Sequence, residues 1–100
     1  MEMMNSCTAM VAYNDYVTVR ILKLLQKNGI KCPDDFSLVS FDDTDLTSFS
    51  GVAITSIEHP SLIMGEKLGK AALKLINNPS DIIREIIPTN IVVKESTKKI

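Results

Sequence analysis

One hundred residues, 45% hydrophobic and 23% charged, allow one domain at most and have an ordinary globular balance, which excludes intrinsic disorder. A net charge of −1 excludes a domain whose own surface grips nucleic acid, since such domains are basic. No apolar run approaches the roughly 18–20 residues that span a bilayer, and Met1 to Cys7 lack the basic residue and apolar stretch of a secretory signal.

Residues 1–7 and 98–100 are expected to fray, leaving 8–97 as the structured part. A first strand is predicted from Thr8 to Tyr13 and ends on the polar pair Asn14-Asp15. Either residue has the chemistry of a helix N-cap, a side-chain oxygen that accepts from an orphan backbone N–H. The helix that follows carries Val17, Ile21, Leu24 and Leu25 at i, i+4, i+7 and i+8, one apolar stripe expected to face a sheet. Val19 and Leu22 fall off that stripe, so they are solvated or face a second partner. Asn28-Gly29 closes the helix, with Gly supplying the left-handed cap.

A turn through Pro33 leads into a second strand, Phe36 to Phe41, which ends on Asp42-Asp43. Strand, helix and strand in about 34 residues have the size of a βαβ crossover. A continuous run such as Ser37 to Phe41 suits a strand covered on both faces. Thr44 to Gly51 reads as one helical turn and a loop, with Phe49 as a large apolar residue lacking a periodic partner. The third strand, Val52 to Ile57, ends on Glu58-His59, and Pro60 suits the first position of a second helix. In that helix Met64, Leu68, Ala71, Ala72, Leu75 and Ile76 form the inward face, and Gly65 and Gly69 allow a close approach to a strand. Two extended runs follow, Ile82 to Ile87 and Asn90 to Val93, split by Pro88. The expected fold is α/β, a parallel sheet flanked by helices.

If the three strands are parallel, all three polar pairs lie on one rim, at the carboxyl ends, where open α/β sheets bind their ligands. Asp42 offers an ionised carboxylate that accepts from two adjacent hydroxyls of a sugar; solvating a loop is its alternative role. Asn14 offers a donor and an acceptor, or a helix cap. Asp15 is placed to cap or steady the helix start, and it also counts among the candidate ligand-binding residues of the rim. His59 is the one histidine, a ligand contact on the same rim or a surface residue. No G-x-S-x-G elbow supports a hydrolase triad, and one His among scattered carboxylates does not make a metal site. No Gly-rich phosphate loop is present, so no cofactor is expected. Cys7 and Cys32, without CxxC spacing, read as reduced thiols, a disulfide or metal site being the alternatives.

Thr8-Ala9-Met10-Val11-Ala12-Tyr13-Asn14-Asp15 resembles the strand and "ND" segment of the lactose-repressor/galactose-repressor (LacI/GalR) family of bacterial transcription regulators. The resemblance continues through Asn28 to Asp43 and through Ile54-Thr55-Ser56-Ile57-Glu58-His59-Pro60. It closes on Ile87-Pro88-Thr89-Asn90-Ile91-Val92-Val93-Lys94-Glu95-Ser96-Thr97, similar to the family's "LPTELVVRES(T)" ending. Four pieces in order over 8–97 are more specific than any one of them. The resemblance implies a periplasmic-binding-protein-like fold of two α/β lobes around a sugar-sized cleft, and a helix-turn-helix for DNA. This chain would be the C-terminal part of the effector-binding region, with the DNA-binding domain and N-terminal lobe absent.

By the same resemblance, Asn14, Asp42 and His59 match effector contacts, whereas Asp15 and Asp43 match motif residues of more structural role. Val19, Leu22 and Phe49 fall where the family dimerises. Ser40 replaces the family's usual Gly before the aromatic, Thr18 and Arg20 stand where small residues are frequent, and His59-Pro60 is similar to the arabinose-repressor branch, which implies a pentose. The implied partners are a sugar effector, a second copy of the chain, and operator DNA through the absent domain, in the cytoplasm and without a membrane. The alternatives are a periplasmic sugar receptor of a transport system and, with least support, an α/β enzyme using Asp42 and His59.

Overall fold

The computed structural model describes residues 6–99, so the expectation of frayed ends at 1–5 and 100 lies outside the described residues. The elements are β1 (Ala9–Val11), α1 (Asp15–Lys27), β2 (Ser37–Asp42), β3 (Thr55–Glu58), α2 (Ser61–Asn77) and β4 (Ile91–Val92), with a short 3-10 helix at Asp45–Phe49. They form two compact units, one of residues 1–59 and 90–100, the other of residues 60–89. No helix among the described residues is long and apolar enough to cross a membrane.

The first unit is a four-stranded sheet in the order β1-β2-β3-β4. β1, β2 and β3 run parallel, with Met10 opposite Leu38 and Ser40 opposite Ser56, and β4 lies antiparallel on β3. The parallel βαβ reading therefore holds, and β4 falls within the predicted Asn90–Val93 run. The run at 82–87 forms no strand. Asn14 caps α1, its Oδ1 accepting from Val17 N at 2.9 Å, and Gly29 closes the helix end at φ +72°.

The buried face of α1 differs from the apolar stripe. It carries Asp15, Thr18, Leu22 and Leu25, spaced i, i+3, i+7 and i+10, whereas Leu24 is exposed and Val17 is half-buried. The helix is rotated from its expected setting because two polar residues, Asp15 and Thr18, are hydrogen-bonded inside the unit and so belong to the inner face. Leu22 is thus no interface residue: it is 1% exposed and forms the core with Leu38 and Ile54. Met10, Ile21, Cys32 and Val52 pack against that core. The opposite face of the sheet is open within this unit, with Val11, Phe41 and Ile91 exposed, so β2 is not covered on both faces by the unit itself.

The tail beyond β4 completes the sheet. Ser96, fully buried, lies between β2 and β3 at their amino ends. Leu38 N donates to Ser96 O and Ser96 N to Ala53 O, both at 2.9 Å. Ser96 Oγ donates to Leu38 O at 2.5 Å and accepts from Thr55 N at 2.8 Å. Lys98, placed among the fraying ends by the sequence, hydrogen-bonds through its Nζ to Asp34 O and through its N to Ser37 Oγ at 3.5 Å.

Cys32 donates to Ser96 O at 3.5 Å. Burial pushes its thiol pKa above the ordinary 9.0, partly offset by a backbone hydrogen bond from Leu38. Above pH 9.0 the unfolded thiol gives up a proton that the folded one retains, so this contribution to stability is intact below 9.0 and declines from there. Urea midpoints at pH 8 and pH 10 should differ less in Cys32→Ser than in the parent chain; an identical pH slope in both would contradict the burial account.

In the second unit, Met64, Leu68, Ala71 and Leu75 of α2 line a groove of about 400 Å³ with Ile83 and Ile87 of the returning segment. Lys67 and Glu85 form an ion pair beside it, and Glu66 and Lys70 pair on the exposed side at 2.6 Å. No residue of α2 is buried. Pro60 is the N-cap, one position earlier than expected.

Candidate functional site

Parallel pairing of β1, β2 and β3 brings their carboxyl ends to one rim, and with them Asn14, Asp42 and His59. Strands stand about 5 Å apart, so three adjacent ends span about 10 Å. The rim's central feature is the turn that leaves β2. Asp42 and Asp43 both have positive φ, +99° and +56°, which few side chains tolerate and to which Asp, with Asn, is among the best adapted.

That turn is held from three sides. His59 N donates to Asp42 O at 3.3 Å from the end of β3. Lys94, just beyond β4, forms an ion pair with Asp43, both side chains being largely covered. Thr44 is held by Asp15: its N donates to Asp15 Oδ2 at 2.6 Å and its Oγ1 to the same oxygen at 2.7 Å. Asp43 is thereby structural, as its motif position implied. The half-buried Asp42 carboxylate, by contrast, accepts no hydrogen bond among the described residues. Its backbone is held by the turn, while the carboxylate stays available as an acceptor.

Asp15 does not reach the rim surface. It is 2% exposed, and its other oxygen accepts from Ser40 Oγ. Ser40 lies 2.8 Å from Thr18 Oγ1, which is also 2.8 Å from Asn14 O and shares its one proton between the two. A buried carboxylate with three donors is well satisfied, and no buried side-chain polar atom among the described residues lacks a partner. The expectation that Asp15 touches ligand is therefore replaced by an internal role.

Asn14 is half-buried; its Oδ1 is occupied by the cap, and its Nδ2 has no partner among the described residues. His59 is exposed on the rim and meets Asp42 through the backbone alone. No group of three His, Cys, Asp or Glu among the described residues is placed to hold a metal ion. The rim's chemistry is that of hydroxyl recognition: a carboxylate acceptor beside an amide donor and an imidazole. Sequence reasoning missed Thr44, Ser40 and Lys94 as supports. The available signal was that Thr18 and Ser40, both unusual for the resembled family, could meet across α1 and β2.

Val19 is half-buried and Phe49 is 88% exposed, so both stay available to a partner. On α1, Val17, Arg20, Ile21 and Leu24 line a shallow concavity, and the Arg20 guanidinium sits 5.8 Å from the centre of the Tyr16 ring.

Residues 1–97 match the family described as a periplasmic binding protein-like domain. Over 95 residues the chain is 36% identical to an arabinose metabolism transcriptional repressor of Geobacillus stearothermophilus, covering 93% of the chain and 26% of the relative. It is 33% identical to a probable HTH-type transcriptional regulator, EndR, of Paenibacillus polymyxa, covering 99% of the chain and 31% of that protein. Among solved structures, a periplasmic binding ribose operon repressor protein from Lactobacillus acidophilus superposes with a TM-score of 0.89 at 24% identity, over 98% of this chain and 37% of the other. The chain thus spans about a quarter to a third of the length of these curated relatives.

Proposed function

This chain belongs to the periplasmic binding protein-like domain family, and from that premise we propose that it is the C-terminal part of the effector-binding and dimerisation region of a sugar-responsive transcriptional regulator of the LacI type. The observation that supports this best is the Asp42 carboxylate, carried on a turn of two positive-φ residues and left without a hydrogen-bond partner among the described residues at the carboxyl rim. Asn14 and His59 flank it on the neighbouring strand ends. Asp42 accepts from two hydroxyls of the effector, and Asn14 Nδ2 donates to a third oxygen. Two relatives are named for pentoses, an arabinose metabolism repressor and a ribose operon repressor, and arabinose or ribose is accordingly the effector proposed.

Effector acts by shifting populations, since it favours the domain closure in which its contacts are complete and so alters the presentation of DNA-binding heads elsewhere in the parent. No covalent step is assigned to Asp42 or His59. The site of action is the cytoplasm, where operator DNA lies. The parent pairs as a homodimer through the surface that includes Val19 and Phe49.

The test is operator affinity of the intact parent with and without each pentose, read by fluorescence anisotropy. A change of about 5-fold or more with one pentose supports the reading, since couplings of this kind fall in that range. No change with either would count heavily against it. The 100-residue chain alone should bind the same pentose far more weakly, because a single rim neither encloses the sugar nor excludes water.

A further inference from the structure

The reading of Asp42 as a ligand contact leaves open what holds it. We propose that Asp15 is the positioning residue of the rim: through Thr44 it fixes the Asp42-Asp43 turn, and Ser40 and Thr18 fix Asp15 in turn. The inference rests on the effector reading for its significance, but its structural core stands apart from any ligand.

Each link is a contact. Asp15 is buried at the start of α1 and spends one oxygen wholly on Thr44, from both its backbone N and its hydroxyl. Thr44 immediately follows the two positive-φ residues and also caps the 3-10 helix, its Oγ1 accepting from Leu46 N at 3.4 Å. Its position therefore sets where the chain must go after Asp43. A side chain other than glycine at φ +99° relaxes unless surrounding bonds over-determine it. The bond from Thr44 N is the charge-assisted one among the backbone bonds at this turn.

The second oxygen of Asp15 accepts from Ser40 Oγ, and Ser40 is fully buried beside Thr18. A glycine at 40 and a small apolar residue at 18 would leave that oxygen without this donor. The two substitutions meet in one network, so they act together on the same carboxylate. The path of the backbone through Asp42 is thus set from beneath the rim, by Asp15, Ser40 and Thr18, all buried.

The test uses the 100-residue chain with backbone NMR. One-bond Cα–Hα couplings at Asp42 and Asp43 report the sign of φ, and hydrogen exchange reports the Thr44 amide. In Asp15→Asn the couplings should move toward ordinary negative-φ values, and in Thr44→Val, which keeps the backbone bond to Asp15 and loses only the hydroxyl one, they should move the same way by less. In Asp15→Asn the exchange of the Thr44 amide should quicken by about 10- to 100-fold, the factor expected for losing a hydrogen bond to a charged group. The amides of Ala12 and Leu38, bonded within the sheet, should change less than about 3-fold. Thr44→Ser should restore the turn, and Ser40→Ala should give an intermediate effect.

Unchanged couplings in both Asp15→Asn and Thr44→Val would overturn the proposal. So would an equal loss of protection across all amides, which would mark a role in global stability alone. If Asp15→Asn does not fold, Thr44→Val, which removes the hydroxyl bond to Asp15, and Ser40→Ala, which removes the donor to its other oxygen, decide the matter together. A turn that depends on Asp15 in a parent that ignores pentoses would sink the effector reading and leave this one standing.

Discussion

Leu22→Ala should lower the stability of the chain by about 2–5 kcal/mol, enough to leave it mostly unfolded if its total stability is at the low end of the usual range. Leu22 is 1% exposed and packs with Leu38 and Ile54, so truncation removes apolar burial and leaves a cavity in a small core. Urea denaturation followed by circular dichroism reads the loss. The same experiment separates two accounts of this residue. Were Leu22 part of a dimer face, its truncation would weaken self-association and spare the unfolding of the single chain. Phe49→Ser is the contrasting variant: at 88% exposure it should change stability by less than about 0.5 kcal/mol and reduce self-association in sedimentation. A Leu22→Ala change within 0.5 kcal/mol of the parent would contradict the core assignment.

Asp42 should show the opposite profile, with function lost and stability kept or raised. In the intact parent, Asp42→Asn should weaken the pentose response by about 10- to 100-fold, since hydrogen bonds to a charged group are worth about 1.5–3 kcal/mol. In the chain itself the carboxylate has no partner among the described residues, so its removal breaks nothing internal. Asp42→Gly goes further. Glycine relieves a φ of +99°, a strain of about 1–3 kcal/mol, and costs about 0.4–1 kcal/mol through the greater freedom of the unfolded chain. The expected net is a neutral or stabilised protein that no longer responds to effector. A glycine variant that melts well below the parent would show that the turn is not strained, and a full sugar response in Asp42→Asn would remove Asp42 from the site.

Much of this architecture is legible in the sequence because its signals are local. The three apolar runs, the Asn14 cap and the Gly29 stop each act within a few residues, and the structure has them there. The inner face of α1 was not legible by the same means. Counting apolar residues alone selects Val17, Ile21, Leu24 and Leu25, of which Leu25 alone is fully buried, and no such count can know that Asp15 and Thr18 find partners 22 to 29 residues away. The rim followed from strand direction, and its three residues arrive together on adjacent strand ends. What distinguishes Asp15 from Asp42 is which oxygens are already taken, and that is decided only once Thr44 and Ser40 are in place.

The placement of Ser96 has a consequence for how such a chain comes into being on the ribosome. The seam between β2 and β3 is closed at one end by a residue made more than 35 positions after β3 has left the peptidyl-transferase centre. Until then the backbone groups of Leu38, Ala53 and Thr55 that Ser96 satisfies have no permanent partners. Any product that stops short of that serine leaves those groups unpaired at the amino ends of β2 and β3, where they can pair with other chains. Premature termination before position 96 would therefore show itself as aggregation rather than as a shorter working protein.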